Sequence, residues 1–108
     1  MKKRYQLRDN GVITFVPLND IISFSGDKGN YTVFSIIGYD KPVRQSHNVG
    51  YHYERVVNDG FYRINKSDVV NMSRVKRVED FTVIMDNGAW FDIRKEEREI
   101  LLTLIPSC

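Results

Sequence analysis

Turn signals recur along this chain at short intervals and leave room for little besides short strands. Asn10-Gly11 separates Arg4–Arg8 from Val12–Val16, and Gly26-Asp27-Lys28-Gly29-Asn30 separates Ile21–Ser25 from Tyr31–Ile37. Asp86-Asn87-Gly88 separates Phe81–Met85 from Ala89–Ile93. Asn and Gly tolerate positive φ, so an Asn-Gly pair between apolar runs predicts a tight hairpin. Pro17-Leu18-Asn19-Asp20 breaks off the second strand, and Gly38-Tyr39-Asp40-Lys41 turns the chain again. Pro42–Ser46 then reads as an edge strand, where proline is tolerated. Further short strands are expected at Phe61–Ile64, Asp68–Asn71 and Val75–Glu79.

Two segments read as helices. In Asn48–Asn58, Asn48 is placed to cap the start, Val49, Tyr53, Val56 and Val57 form an apolar stripe, and Gly60 lies just past the end. In Lys95–Ile105, the apolar face is expected from Ile100, Leu101, Leu104 and Ile105. The fold class is therefore mainly β with a short internal helix and a short C-terminal helix. A chain of 108 residues without linker, low-complexity tract or solenoid repeat reads as a single domain, 1–108, around one core.

Little points to catalysis. There is no Gly-x-Ser-x-Gly and no glycine loop ending in Gly-Lys-Ser/Thr. His47 and His52 are five apart with no cysteine or carboxylate motif beside them, so they read as solvated surface histidines and no metal site is expected. Lys95-Glu96-Glu97-Arg98-Glu99 reads as the solvated start of a helix, where acids favour the N-terminal turn. No enzyme and no cofactor are expected. Cys108, the lone cysteine, cannot form an intrachain disulfide. The basic start Met1-Lys2-Lys3-Arg4 is not followed by an apolar run, and no apolar run is long enough for a bilayer, so a cytoplasmic protein without a membrane partner is expected.

Charge is unevenly spread. Residues 61–77 hold five basic residues and one acid, a net +4 in a chain whose total is +2. Ile64, Val69, Val70 and Val75 are threaded between those charges, as in strands that bury one side and present cations on the other. Such a face suits a polyanion.

Ile21–Val33, Phe61–Asn71 and Asp86–Arg94 follow one another in an order and spacing that resemble the LytTR-type DNA-binding domain. Ile21-Ile22-Ser23-Phe24-Ser25-Gly26-Asp27-Lys28-Gly29-Asn30-Tyr31-Thr32-Val33 is similar to that family's opening strand, polar loop and Asn-Tyr-Thr. Phe61-Tyr62-Arg63-Ile64-Asn65-Lys66-Ser67-Asp68-Val69-Val70-Asn71 resembles its most characteristic segment, with Asn65-Lys66-Ser67 standing where His-Arg-Ser is usual. Asp86-Asn87-Gly88 with Phe91-Asp92-Ile93-Arg94 resembles its closing hairpin, and the likeness runs over about residues 17–105. It implies small stacked antiparallel sheets that present loops to successive major grooves of double-stranded DNA, and a bacterial transcription regulator acting as two copies on repeated half-sites. Such domains usually follow a receiver or membrane helices, so the chain is expected to be a stand-alone regulator or an excised C-terminal piece, with the initial Met favouring the former.

The matching loops carry Lys28, Asn30, Tyr31, Asn65, Lys66, Ser67, Arg94 and Lys95. The resemblance assigns base reading to Tyr31, Lys66 and Arg94. Arginine can donate twice to guanine O6 and N7, lysine meets guanine or phosphate as a point charge, and Asn30 and Ser67 can donate to phosphate. Each assignment has a plainer rival: a salt bridge from Arg94 to Asp92 or Glu97, and half-buried packing for Tyr31. Asp68 would repel phosphate unless it turns away or pairs with Arg63 or Arg74. A second function remains open, a small β-domain that binds a protein partner through Tyr39, Tyr51 and Trp90, and an RNA binder is a weaker third.

Overall fold

The Asn10-Gly11 turn forms as read: both residues take positive φ (49° and 80°), and β1 (Arg4–Asp9) pairs antiparallel with β2 (Val12–Pro17) across it. The computed structural model describes residues 3–107; Met1 and Lys2, half of the basic start, and the Cys108 thiol lie outside the described residues.

Pro17 ends the hairpin, and a 3-10 turn at Leu18–Asp20 leads into a five-stranded antiparallel sheet. Its strands are β3 (Ile21–Asp27), β4 (Tyr31–Ile36), β5 (Val43–Ser46), β6 (Phe61–Arg63) and β7 (Asp68–Asn71), in the order β5-β4-β3-β7-β6. The strand after Pro42 takes the expected edge position. Between β5 and β6 lies α1 (Val49–Val56), whose cap is Asn48, accepting from Tyr51 N at 2.9 Å. A second 3-10 turn at Met72–Arg74 leads to a three-stranded sheet of β8 (Val75–Glu79), β9 (Thr82–Met85) and β10 (Trp90–Asp92), followed by α2 (Lys95–Leu104).

Both faces of the five-stranded sheet are buried, so the interior divides into two clusters rather than the single core expected. On one face Phe24, Phe34, Phe61 and Val69 pack with Leu7 and Val16 of the hairpin and with Val49 and Val56 of α1. On the other, Ile22, Ile64 and Val70 meet Val83 and Met85 of β9, Ile93, and Leu101 of α2. Val69 and Val70 serve opposite faces by ordinary strand alternation. A register shift between Ile21 and Ser23 sends Ile21 and Phe24 to one face and Ile22 to the other. Buried Asn71 fixes the junction: its Nδ2 donates to Ile21 O at 3.0 Å, and its Oδ1 accepts from Ser73 N at 3.1 Å.

Two expectations need correction. His52 is 5% exposed, not solvated. Its Nε2 lies 2.7 Å from Ser46 O, which can only accept, so Nδ1 accepts from the Tyr5 hydroxyl at 2.6 Å. Burial pushes its pKa below the ordinary value and pushes the Tyr5 hydroxyl up to about 12. On α2, Leu101 is fully buried and Ile105 half-buried, but Ile100 and Leu104 are exposed.

Candidate nucleic-acid interface

Three loops far apart in sequence meet along one edge. Lys28 and Gly29, both at positive φ (47° and 77°), turn β3 into β4. The loop is shorter than Gly26–Tyr31, because Gly26 and Asp27 extend β3 and Tyr31 opens β4 opposite Asp27. Since β7 pairs antiparallel with β3, the Asn65–Ser67 loop falls beside this turn, and Gly26 N donates to Ser67 O at 2.9 Å. Asn65 Nδ2 lies 3.4 Å from Asp92 O, which ties the same loop to the end of β10.

Asn65 is the organiser of the middle loop. Its Oδ1 accepts from Ser67 N at 2.8 Å and Asp68 N at 2.9 Å, an Asx turn. Its Nδ2 donates to the Asp68 carboxylate at 2.9 Å, so half-buried Asp68 is used within the loop. Neither arginine expected to pair with Asp68 does so: Arg63 donates to Lys66 O, and Arg74 bonds Asp86 at 3.1 Å. Lys66 and Ser67 are left exposed at the tip.

Arg94 does not end a strand. It follows buried Ile93, whose N–H donates to Phe81 O at 2.9 Å, and it stands at the N-cap of α2 without a capping side-chain bond. Glu97 is engaged elsewhere, accepting from the Tyr62 hydroxyl at 2.6 Å, and burial together with that carboxylate drives the Tyr62 pKa far upward. Among the described residues, Lys28, Lys66, Arg94 and Lys95 form no ion pair, whereas Arg77, at the far end of the 61–77 stretch, is held by Glu79. Three exposed cations outside any ion pair, Lys28, Lys66 and Arg94, thus stand on the linked loops, with Lys95 on the first residue of α2 rather than in the loop expected, and Asn30 exposed beside Lys28.

Tyr31 is 41% exposed, with the Arg44 guanidinium 3.9 Å over its ring and Asp27 bonded to that arginine at 3.3 Å. Arg44 drew no attention in the sequence, although its place on an edge strand two residues from Ser46, the partner of Tyr31, carried the signal. His47 and Tyr51, at the start of α1, also reach this edge, stacked at 4.0 Å. Among the described residues, no group of three or more His, Cys, Asp or Glu could hold a metal, and no helix is long and apolar enough to cross a membrane.

The model of the LytTr DNA-binding domain matches residues 11–99. The chain belongs to the LytTR family. Members of this family are DNA-binding domains. The LytTR fold is also seen by superposition: the LytTr DNA-binding domain of a Bacillus cereus protein, described as a methyl-accepting/DNA response regulator, matches with a TM-score of 0.71 at 18% identity, over 96% of this chain and 97% of that one. A search of curated proteins finds no significant match.

Proposed function

We propose that this LytTR domain is a sequence-specific regulator of transcription that binds double-stranded DNA through the three linked loops. The observation that carries this reading is the set of unpaired cations Lys28, Lys66 and Arg94 on loops joined by the Gly26–Ser67 and Asn65–Asp92 hydrogen bonds, with Lys95 beside them at the start of α2. Arg94 stands on a rigid base and reads guanine. Lys66 and Tyr31 offer the other base contacts, and Lys28, Asn30, Ser67 and Lys95 meet phosphate. Asn65 shapes its loop rather than reading DNA. The whole chain, residues 1–108, acts as one non-enzymatic unit in the cytoplasm, two copies occupying repeated half-sites.

Selection of bound duplexes from a random pool tests this directly. Recovery of a repeated motif is the expected result, and a pool that stays random after repeated rounds defeats the reading. One rival has support in the structure: Trp90 is 64% exposed, and Tyr39 is exposed too, as a protein-docking surface would require. A mobility shift with mixed-sequence duplex at low salt separates the two, because a protein-docking module leaves the duplex unshifted.

A further inference from the structure

A groove of about 790 Å³ runs beside the loop edge between β1, β5 and α1. Arg8, Arg44 and Arg55 line it, one from each element, and no acid is among its lining residues. It shares Tyr31, Ser46, His47 and Tyr51 with a smaller depression that takes in Asn30 and Asn48, so it opens onto the loops described above. Two arginine–tyrosine pairs flank it. Arg44 lies over Tyr31, and Arg55 lies over Tyr51 at 4.2 Å while its terminal nitrogen bonds the Tyr51 hydroxyl. A guanidinium held over a ring loses freedom of movement and keeps further N–H donors for a ligand. Asp27 pairs with Arg44 through Nε at 3.3 Å, and Arg8 and Arg55 form no ion pair among the described residues.

The floor is rigid. The Gln45 amide donates to Arg8 O at 2.8 Å and accepts from Arg8 N at 2.9 Å, joining β1 to β5 as a strand would. The hydrogen-bonded Tyr5–His52–Ser46 chain, which spans β1, α1 and β5, lines the same groove around buried His52. Three cations on three fixed elements, continuous with the proposed base-reading loops, are the complement of a chain of phosphates.

We infer that this groove is a phosphate track that holds the DNA backbone flanking the bases read by the loops, which rests on the reading of the chain as a duplex-DNA binder. Its contacts are blind to sequence. The test compares the parent with the double variant Arg8→Gln/Arg55→Gln, on the selected duplex and on the same duplex trimmed to the bases that selection fixes. Removing two phosphate contacts lowers the slope of log K against log salt by about two, so the variant's loss of affinity between about 50 and 200 mM salt is about tenfold smaller than the parent's. Discrimination against a scrambled duplex stays the same. Trimming takes away all three contacts, so it lowers the parent's slope by about three and that of the variant, which keeps Arg44, by about one.

Parent and variant with equal slopes, or responding alike to trimming, overturn the track. So does a fall in discrimination, since that would make these arginines base readers. If the double variant does not fold, as checked by circular dichroism, the single variants Arg8→Gln and Arg55→Gln replace it, each expected to lower the slope by about one, and unchanged slopes overturn the track. A parent that binds neither duplex sinks the DNA-binding reading instead, a distinct outcome. Inorganic phosphate that binds in the Arg8/Arg55 groove without competing with the duplex would also overturn the inference.

Discussion

His52 ties three elements together with one ring and sets a pH limit on the fold. Its Nε2–H meets Ser46 O and its Nδ1 meets the Tyr5 hydroxyl, an arrangement that only the neutral ring satisfies. Burial lowers its pKa from the ordinary 6.5. As pH falls through that value the unfolded chain takes up a proton that the folded chain still refuses. The unfolded state then binds more protons, so stability rises with pH across this window and is lost on acidification. Thermal melts should give a constant midpoint above about pH 7 and a falling one toward about pH 5, and His52→Gln should remove most of that slope. A variant that keeps the parent's pH dependence would assign it to another group.

The same scale governs recognition. Arg94→Ala should cost about 1–3 kcal/mol of binding to the selected duplex and relax preference at one base pair. Lys28→Ala should weaken binding alike for selected and scrambled duplexes, as loss of a phosphate contact requires. Titration of both variants against both duplexes checks this, and an Arg94→Ala protein that binds its site as tightly as the parent would remove the base-reading role.

At the level of elements, hairpins and caps were legible in the sequence because their signals are local. Asn10-Gly11 carries its turn in its own φ preferences, and Asn48 its cap in one short side chain. The bulge after Ile21 and the division of the interior into two clusters were not legible, because both follow from which strands pair across the chain. His52 escaped for a similar reason, since its partner Tyr5 lies 47 residues away. Of the site, the exposed cations Lys66 and Arg94 were found as residues, but the use of Asp68 by Asn65 and of Glu97 by Tyr62 emerged only with the loops in place. The helix α2 shows how periodicity overstates burial. Leu101, fully buried against the second cluster, should cost about 2–5 kcal/mol when replaced by alanine. Leu104→Ala, on an exposed position of the same periodic face, should change stability by about 0.5 kcal/mol or less. Urea denaturation of the two variants distinguishes them, and equal losses would mean that α2 packs on the other side.

The whole molecule measures 43 × 33 × 25 Å. Successive major grooves on one face of a duplex lie about 34–36 Å apart, less than the 43 Å long axis, and we propose that one copy contacts two of them. That reach gives the proposed mode of binding a signature in spacing. Inserting about five base pairs between the two groove contacts of one half-site turns the second contact to the far face of the helix, and binding should fall more than about a hundredfold. Inserting about ten restores the face but places the grooves about 70 Å apart, beyond the 43 Å of the molecule, so affinity should stay low. Two copies that each read one groove respond differently, because the insertion of a full turn restores phase and with it much of the affinity. Mobility shifts on the three duplexes therefore decide whether one copy spans both grooves, and recovery with the full-turn insertion would show that it does not.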